Sequence, residues 1–210
     1  MSTPLLEPRK TPLQARAQAT VEVILEGATQ VLATEHLAGF NTNAIAERAG
    51  TSIGTLYQYF PNKQALLLAL IRRQKQQMFS NISAAMEAAA CTDLEGSVRL
   101  LITGRIKHLR DNQRVALILS QQEMQLPIHE IKAGYLAQGT ELFASRLGCW
   151  GDAALGIDVL RAATTVPAMV RSIFERWLSD QPESLDVAEQ EAVCCVLGYL
   201  QCLKRAGAAY

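Results

Sequence analysis

The sequence predicts an all-α protein of about nine helices, with a small N-terminal three-helix domain followed by a larger helical domain. Three observations carry this. Apolar residues recur at three- and four-residue spacing almost throughout, the pattern of helices that bury one face. No segment alternates apolar and polar residues as a half-buried strand would. Capping residues and glycines divide the periodic run into helix-sized pieces. The expected domains are residues 1–62 and 63–210, and a helix starting at residue 63 joins them.

The first helix is expected from about Leu13 to Thr34, with Val21, Ile24, Leu25, Ala28, Val31 and Leu32 on one face. Two short pieces follow. Residues 42–49 make about two turns with Thr42 as N-cap, and Gly50 supplies the left-handed conformation that stops them. Residues 53–59 make another, closed by Pro61. Asn62 caps a long fourth helix whose stripe runs through Leu66, Leu67, Leu70 and Ile71 towards Met78, Ile82 and Met86. The patterns T-D-L-E at Thr92–Glu95 and D-V-A-E at Asp186–Glu189 read as capping boxes for a fifth and a last helix. Helices are expected between them at about 113–124, 128–147 and 153–178, with a break at Gly148, Gly151 and Gly156 and a kink at Pro167.

A length of 210 residues with 49% hydrophobic content allows a sizeable core without disulfide or metal staples. Charged residues make up 19%, and no apolar run reaches membrane-spanning length, so a soluble chain is expected, neither a disordered polyelectrolyte nor a membrane protein. The N-terminal stretch is polar and proline-containing where a secretory signal would be continuously apolar, which points to the cytoplasm. The five cysteines are odd in number and lack a C-x-x-C pair, so buried free thiols are expected. Net charge is zero but unevenly placed. Residues 1–75 hold eight Lys/Arg against five Asp/Glu, a net of +3, leaving twelve against fifteen, a net of −3, for the rest.

The segment TNAIAERAGTSIGTLYQYFPNK has the shape of a helix-turn-helix, which presents its second helix to a DNA major groove. Ile45, Ala46 and Ala49 should pack inwards with Leu56 and Phe60, while small Ala46 and Gly54 let the two helices approach. Thr51, Ser52, Thr55, Tyr57, Gln58 and Tyr59 should face outwards, followed by Lys63. All can hydrogen-bond and none is acidic, which suits phosphates and base edges. Backbone N–H groups near Thr42 and Lys63 are candidates for phosphate oxygens, and Gln58 for a bidentate contact to adenine.

This segment resembles the DNA-binding motif of the TetR family, T-x-x-x-I-A-x-x-A-G-x-S-x-G-x-L-Y-x-[YH]-F-x-x-K. The matching residues are Thr42, Ile45, Ala46, Ala49, Gly50, Ser52, Gly54, Leu56, Tyr57, Tyr59, Phe60 and Lys63. The resemblance is specific over about residues 15–70. It implies an N-terminal helix-turn-helix DNA-binding domain and a C-terminal ligand-binding and dimerisation domain. By resemblance, Tyr57 and Tyr59 contact phosphates, Thr55 and Gln58 approach bases, and Lys63 holds the backbone. Ile53 departs from the polar residue the family often has there. Arg9 and Lys10 stand where family members often add backbone or minor-groove contacts.

The resemblance further implies a repressor that binds a palindromic operator as a homodimer and is released by a small-molecule effector. The two-fold requires recognition helices about 34–36 Å apart. The last two helices are the most apolar, through Leu155, Leu160, Val166, Met169, Val170, Ile173, Phe174 and Trp177, then Ala188, Ala192, Cys195, Val196, Leu200 and Leu203. Two such pairs would form a four-helix bundle. Candidate ligand-binding residues are His108, Gln122, Met124, Tyr135, Arg161 and Thr165, with Gln121, Glu123 and His129 near them. No histidine spacing suits a metal, no cofactor is implied, and no G-x-S-x-G, P-loop or dinucleotide fingerprint points to an enzyme. A second reading is a helical dimeric adaptor whose helix-turn-helix only supports association.

Overall fold

The computed structural model describes residues 15–88, 94–111, 113–126, 129–149, 158–180 and 184–207. Among them lie nine helices and no strand: α1 (Ala15–Gly39), α2 (Thr42–Arg48), α3 (Ile53–Tyr59), α4 (Lys63–Ala88), α5 (Leu94–Asp111), α6 (Gln113–Gln125), α7 (His129–Cys149), α8 (Val159–Asp180) and α9 (Leu185–Gly207). Leu13, Thr92, Gly151, Leu155 and Gly156 lie outside the described residues. The chain divides into two units, one from residues 1–74 and 112–126, the other from 75–111 and 127–210. The division passes through α4, and α6 joins the first unit although it lies far along the chain.

The first unit is built on α1. Its stripe of Ile24, Leu25, Ala28, Val31 and Leu32 is buried as the spacing predicts, with Val21 partly so. Ile45 and Ala46 of α2, Leu56 of α3, Ala65–Leu67, Leu70 and Ile71 of α4, and Val115, Ile118 and Leu119 of α6 close over that stripe, with Phe40 and Phe60 filling the corners. Two arginines tie neighbours to α1 through its own backbone. Arg73 donates to Thr29 Oγ1 and the Leu25 carbonyl, with Glu22 and Glu26 each 3.7 Å away. Arg114 donates to the Ala33 carbonyl at 3.3 Å, holding α6 in place.

Two backbone positions set the geometry of α1. A Cβ on Gly27 would stand 2.9 Å from Ala49 Cβ and 2.9 Å from Ala49 N, so α2 reaches α1 only because this residue is glycine. The close approach therefore lies between Gly27 and Ala49. Between α2 and α3, Ala46 is buried as expected, but Gly54 is exposed and a Cβ there would meet nothing nearer than Ser52 Oγ at 3.8 Å, so its small size opens no approach between those helices. The second position is His36, with φ 57° and ψ −168°. It breaks α1 two residues beyond the Thr34 end expected from the sequence. That region is open to glycine and strained for a side chain with a Cβ.

In the second unit α9 packs on α5 and α8, and α7 on α8. Ala162, Ala163, Val166, Val170, Phe174, Trp177 and Leu178 of α8 and Ala188, Ala192, Val193, Val196, Leu200 and Leu203 of α9 are buried within one chain. α8 continues through Pro167. The D-V-A-E pattern is not a capping box here. α9 already begins at Leu185, and Asp186 and Glu189 instead take Arg110 of α5, Asp186 at 2.8 Å. Thr103 adds a hydrogen bond to Glu189 at 2.6 Å, and Arg99 joins Glu95 to Gln190. The two carboxylates, Asp186 first, push the Arg110 pKa further above its usual value, so the guanidinium stays charged. Such exposed pairs fix register more than they add stability.

Free thiols were expected to be buried, but Cys194 and Cys202 are exposed and Cys195 half-exposed, because the buried stripe of α9 passes beside them. Cys91 and the side chain of Cys149 lie outside the described residues. Two substitutions test the backbone arguments. Gly27→Ala should cost about 2 kcal/mol in denaturant unfolding by overpacking. His36→Gly should raise stability by about 1 kcal/mol, the relieved strain exceeding the entropy glycine adds to the unfolded chain.

Candidate nucleic-acid interface

The corner between α2 and α3 is assembled from short-range hydrogen bonds. Asn41, in an extended conformation, caps α2 by accepting from Ala44 N at 2.9 Å, and its amide donates to the Gly39 carbonyl at 3.0 Å. Thr42, the N-cap expected from the sequence, is thus the first residue inside the helix. Asn41 takes the capping place because its side chain accepts at one end and donates at the other. Gly50, with φ +62°, ends α2: its N–H bonds the Glu47 carbonyl at 3.0 Å and that of Thr51 bonds Ala46 at 2.9 Å. This double bond through a left-handed glycine is a Schellman closure. Ser52 then caps α3, accepting from Thr55 N at 3.0 Å, and Asn62 caps α4 through Ala65 N at 2.9 Å.

With the backbone closed in this way, the polar side chains sort themselves. Gln58, Ser52 and Gly54 are exposed, Tyr57 is 42% exposed, and Thr42, Thr51 and Thr55 are half-buried. Thr42, released from capping, reaches Tyr57: the two hydroxyls are 3.1 Å apart and bridge α2 to α3 on the outer face. The Ser52 and Thr55 hydroxyls bond each other at 2.8 Å. Tyr59 is half-buried against the core and so differs from Tyr57 in exposure. Lys63 is held from beneath. Its ammonium donates to the Leu37 carbonyl at 3.3 Å and stands 5.7 Å from the Phe40 ring centre, which leaves donors of a three-donor group for another acceptor.

The charge pattern here is sharper than the net count of the N-terminal third suggests. From residue 48 to residue 86 there is no Asp or Glu, while Arg48, Lys63, Arg72, Arg73 and Lys75 are basic. Glu35 lies 3.5 Å from Arg48, an exposed pair. An anion approaching α3 therefore meets hydroxyls, an amide and an ammonium, with no carboxylate on α3 itself. Sequence reasoning missed Asn41 and the Gly27–Ala49 approach. The N-T-N run signalled the first, whereas the second needs two residues distant in sequence. Arg9 and Lys10 lie outside the described residues.

The six candidate ligand residues are spread over several helices. His108 is on α5, Gln122 and Met124 on α6, Tyr135 on α7, Arg161 and Thr165 on α8. The side chains of His108 and Met124 lie outside the described residues. Gln122 bonds Gln125 at 3.4 Å within the first unit. In the second unit Tyr135 stacks on Phe79 with ring centres 6.1 Å apart, Thr165 is half-buried, and exposed Arg161 gives its backbone N–H to Asp158. Among the described residues no group of three or more His, Cys, Asp or Glu could hold a metal, and no helix is long and apolar enough to cross a membrane.

Residues 24–70 match the model of a family described as "Bacterial regulatory proteins, tetR family". The chain is 31% identical over 137 residues to the nucleoid occlusion factor SlmA of Haemophilus ducreyi, covering 63% of each chain, and so spans less than two thirds of that relative's length. It is 24% identical over 169 residues to the fatty acid metabolism regulator protein of Bacillus subtilis, covering 77% of this chain and 86% of that one. Among solved structures it is similar to a tetR-family transcriptional regulator of Mesorhizobium loti, at TM-score 0.66 and 20% identity over 90% of this chain and 98% of that one. FadR of Bacillus subtilis, solved with stearoyl-CoA, gives TM-score 0.60 and 23% identity over 84% and 97%.

The cap assignment yields a separation of effects. Asn41→Ala should cost about 1 kcal/mol of stability in thermal or denaturant unfolding. Tyr57→Phe, which removes the solvent-exposed hydroxyl bridge to Thr42, should lower stability by less, at most about 0.5 kcal/mol.

Proposed function

We propose that this protein is a member of the tetR family of bacterial regulatory proteins, whose model matches residues 24–70, and that it is a repressor that grips a palindromic operator as a homodimer and lets go when a small molecule binds its second unit. The observation that carries the reading is the outer face of the α2–α3 corner. Its hydroxyls are held in place by the Ser52 cap and the Thr42–Tyr57 bridge, with the exposed Gln58 amide beside them, on a stretch of chain without a carboxylate. In this reading Thr42, Tyr57, Tyr59 and Lys63 hold phosphates, and Thr51, Ser52 and Gly54 let the backbone come close. Thr55 and Gln58 face base edges in the major groove.

A dimer supplies the two-fold that a palindrome requires. Most of the apolar stripe of α8 and α9 is already core of the single chain, so a partner would meet what remains: exposed Leu160 and Val187, with half-buried Met169 and Ile173. The effector would shift the balance between two states only by its differential affinity for them. His108, Gln122, Met124, Tyr135, Arg161 and Thr165 remain its proposed contacts. Stearoyl-CoA, held by the FadR structure to which this fold is similar, is the first effector to try.

The test is binding to duplexes selected from a random pool, measured against salt. A repressor gripping about 6–10 phosphates should lose affinity with a log–log slope of about −5 to −9. Lys63→Gln keeps a polar side chain at the start of α4 but removes the charge, and should flatten that slope by about one per half-site. Gln58→Ala should instead relax base preference at one position, by about 1–3 kcal/mol. An adaptor would select no sequence and show no such slope, and that outcome would overturn the proposal. If an effector releases DNA, operator must weaken effector binding by the same factor, which titration calorimetry with and without duplex can check.

A further inference from the structure

One residue on the outer face of α3 has a chemistry that phosphate and hydrogen-bond contacts leave unused. Ile53 is a large aliphatic side chain, 38% exposed, on a helix whose other aliphatic residue, Leu56, is fully buried. It is absent from the buried cluster beneath and from the partly buried residues packed on it. A single exposed aliphatic residue is ordinary on a protein surface. Its placement is what carries the argument.

Ile53 and Tyr57 are four residues apart on one helix and therefore neighbours on its surface, and Gly54 and Gln58 form the adjoining row. A Cβ on Gly54 would have only Ser52 Oγ within 4 Å, at 3.8 Å, so the backbone there is bare to the outside. The Tyr57 ring is steadied by its hydroxyl contact to Thr42 at 3.1 Å. The β-branched Ile53 side chain is itself stiff about its first torsion. The result is a firm apolar wall beside a bare backbone and a carboxamide.

In a major groove only thymine, among the four bases, presents a methyl group beside a hydrogen-bond acceptor, and apolar side chains read that methyl. We infer that Ile53 is a specificity-determining residue that packs against the 5-methyl group of one thymine in each operator half-site. The inference rests on the DNA-binding reading above and deepens it. That reading gives α3 a polar code, whereas here part of the code is apolar, at the position where this chain departs from the polar residue common in the motif.

The experiment uses the full chain and a duplex it selects from a random pool. Each thymine is replaced in turn, symmetrically in both half-sites, by deoxyuridine, which lacks only the methyl group. One position should lower wild-type affinity by about fourfold per half-site, or about fifteenfold for both, the worth of one buried methyl-sized group at each. Ile53→Ala should show a similar loss on the thymine duplex and no further loss on the uracil duplex. Uracil tolerated at every position overturns the inference, as does a methyl dependence that persists in Ile53→Ala. The wild-type arm needs no variant to fold. A chain that selects no sequence at all refutes the DNA-binding reading, whereas one that selects a sequence but ignores the methyl refutes only the role of Ile53.

Discussion

The contact between Gly27 and Ala49 is the constraint on which the N-terminal unit depends. α2 is only two turns long and buries little besides Ile45 and Ala46, so it has no stability of its own. It is kept in place by lying close enough to α1 for those two side chains to enter a core made chiefly by α1 and α4. The place of α3 then follows through the left-handed Gly50 and the Ser52 cap, which turn the chain within three residues. A small change at the α1–α2 approach would therefore move the outer face of α3 as a body.

Capping chemistry and surface chemistry compete for the same residues in this corner. Asn41, Ser52 and Asn62 spend their side chains on backbone N–H groups, and the first and last of them each release a neighbour. Thr42 is freed to meet Tyr57, and Lys63 is left at the start of α4 with its ammonium over Phe40. The polar richness of the segment is thus partly internal scaffolding. Thr42, Ser52, Thr55 and Tyr57 share their outward hydroxyls with bonds inside the corner, while Gln58 stands exposed beside them.

Much of the fold was legible because its signals are local. The spacing of Ile24, Leu25, Ala28, Val31 and Leu32 predicts the buried face of α1, Gly50 the end of α2, and Asn62 the cap of α4, since each depends on residues within a turn or two. What was not legible depends on distant partners or on near-equivalent local choices. Asn41 and Thr42 are both good caps, and only the carbonyl of Gly39 within reach of Asn41 separates them. Asp186 and Glu189 have capping-box spacing, yet Arg110, far earlier in the chain, claims them. Gly54 was a sound candidate for a close approach by size alone, but it faces outwards. For a ligand site in the second half the sequence offers only candidates, since polar groups interrupting apolar helices carry no pattern that says which of them converge.

The membership of α6 in the first unit has a consequence for how this protein is made. Val115, Ile118 and Leu119 complete a core begun by residues 24–71, and Arg114 fastens them to the Ala33 carbonyl. The N-terminal unit is therefore discontinuous in sequence. On the ribosome its first four helices emerge well before α6, so the core stays unfinished until about residue 126 has left the exit tunnel. A fragment cut at residue 74 would likewise carry every residue of the α2–α3 corner and still lack one wall of the core that supports it.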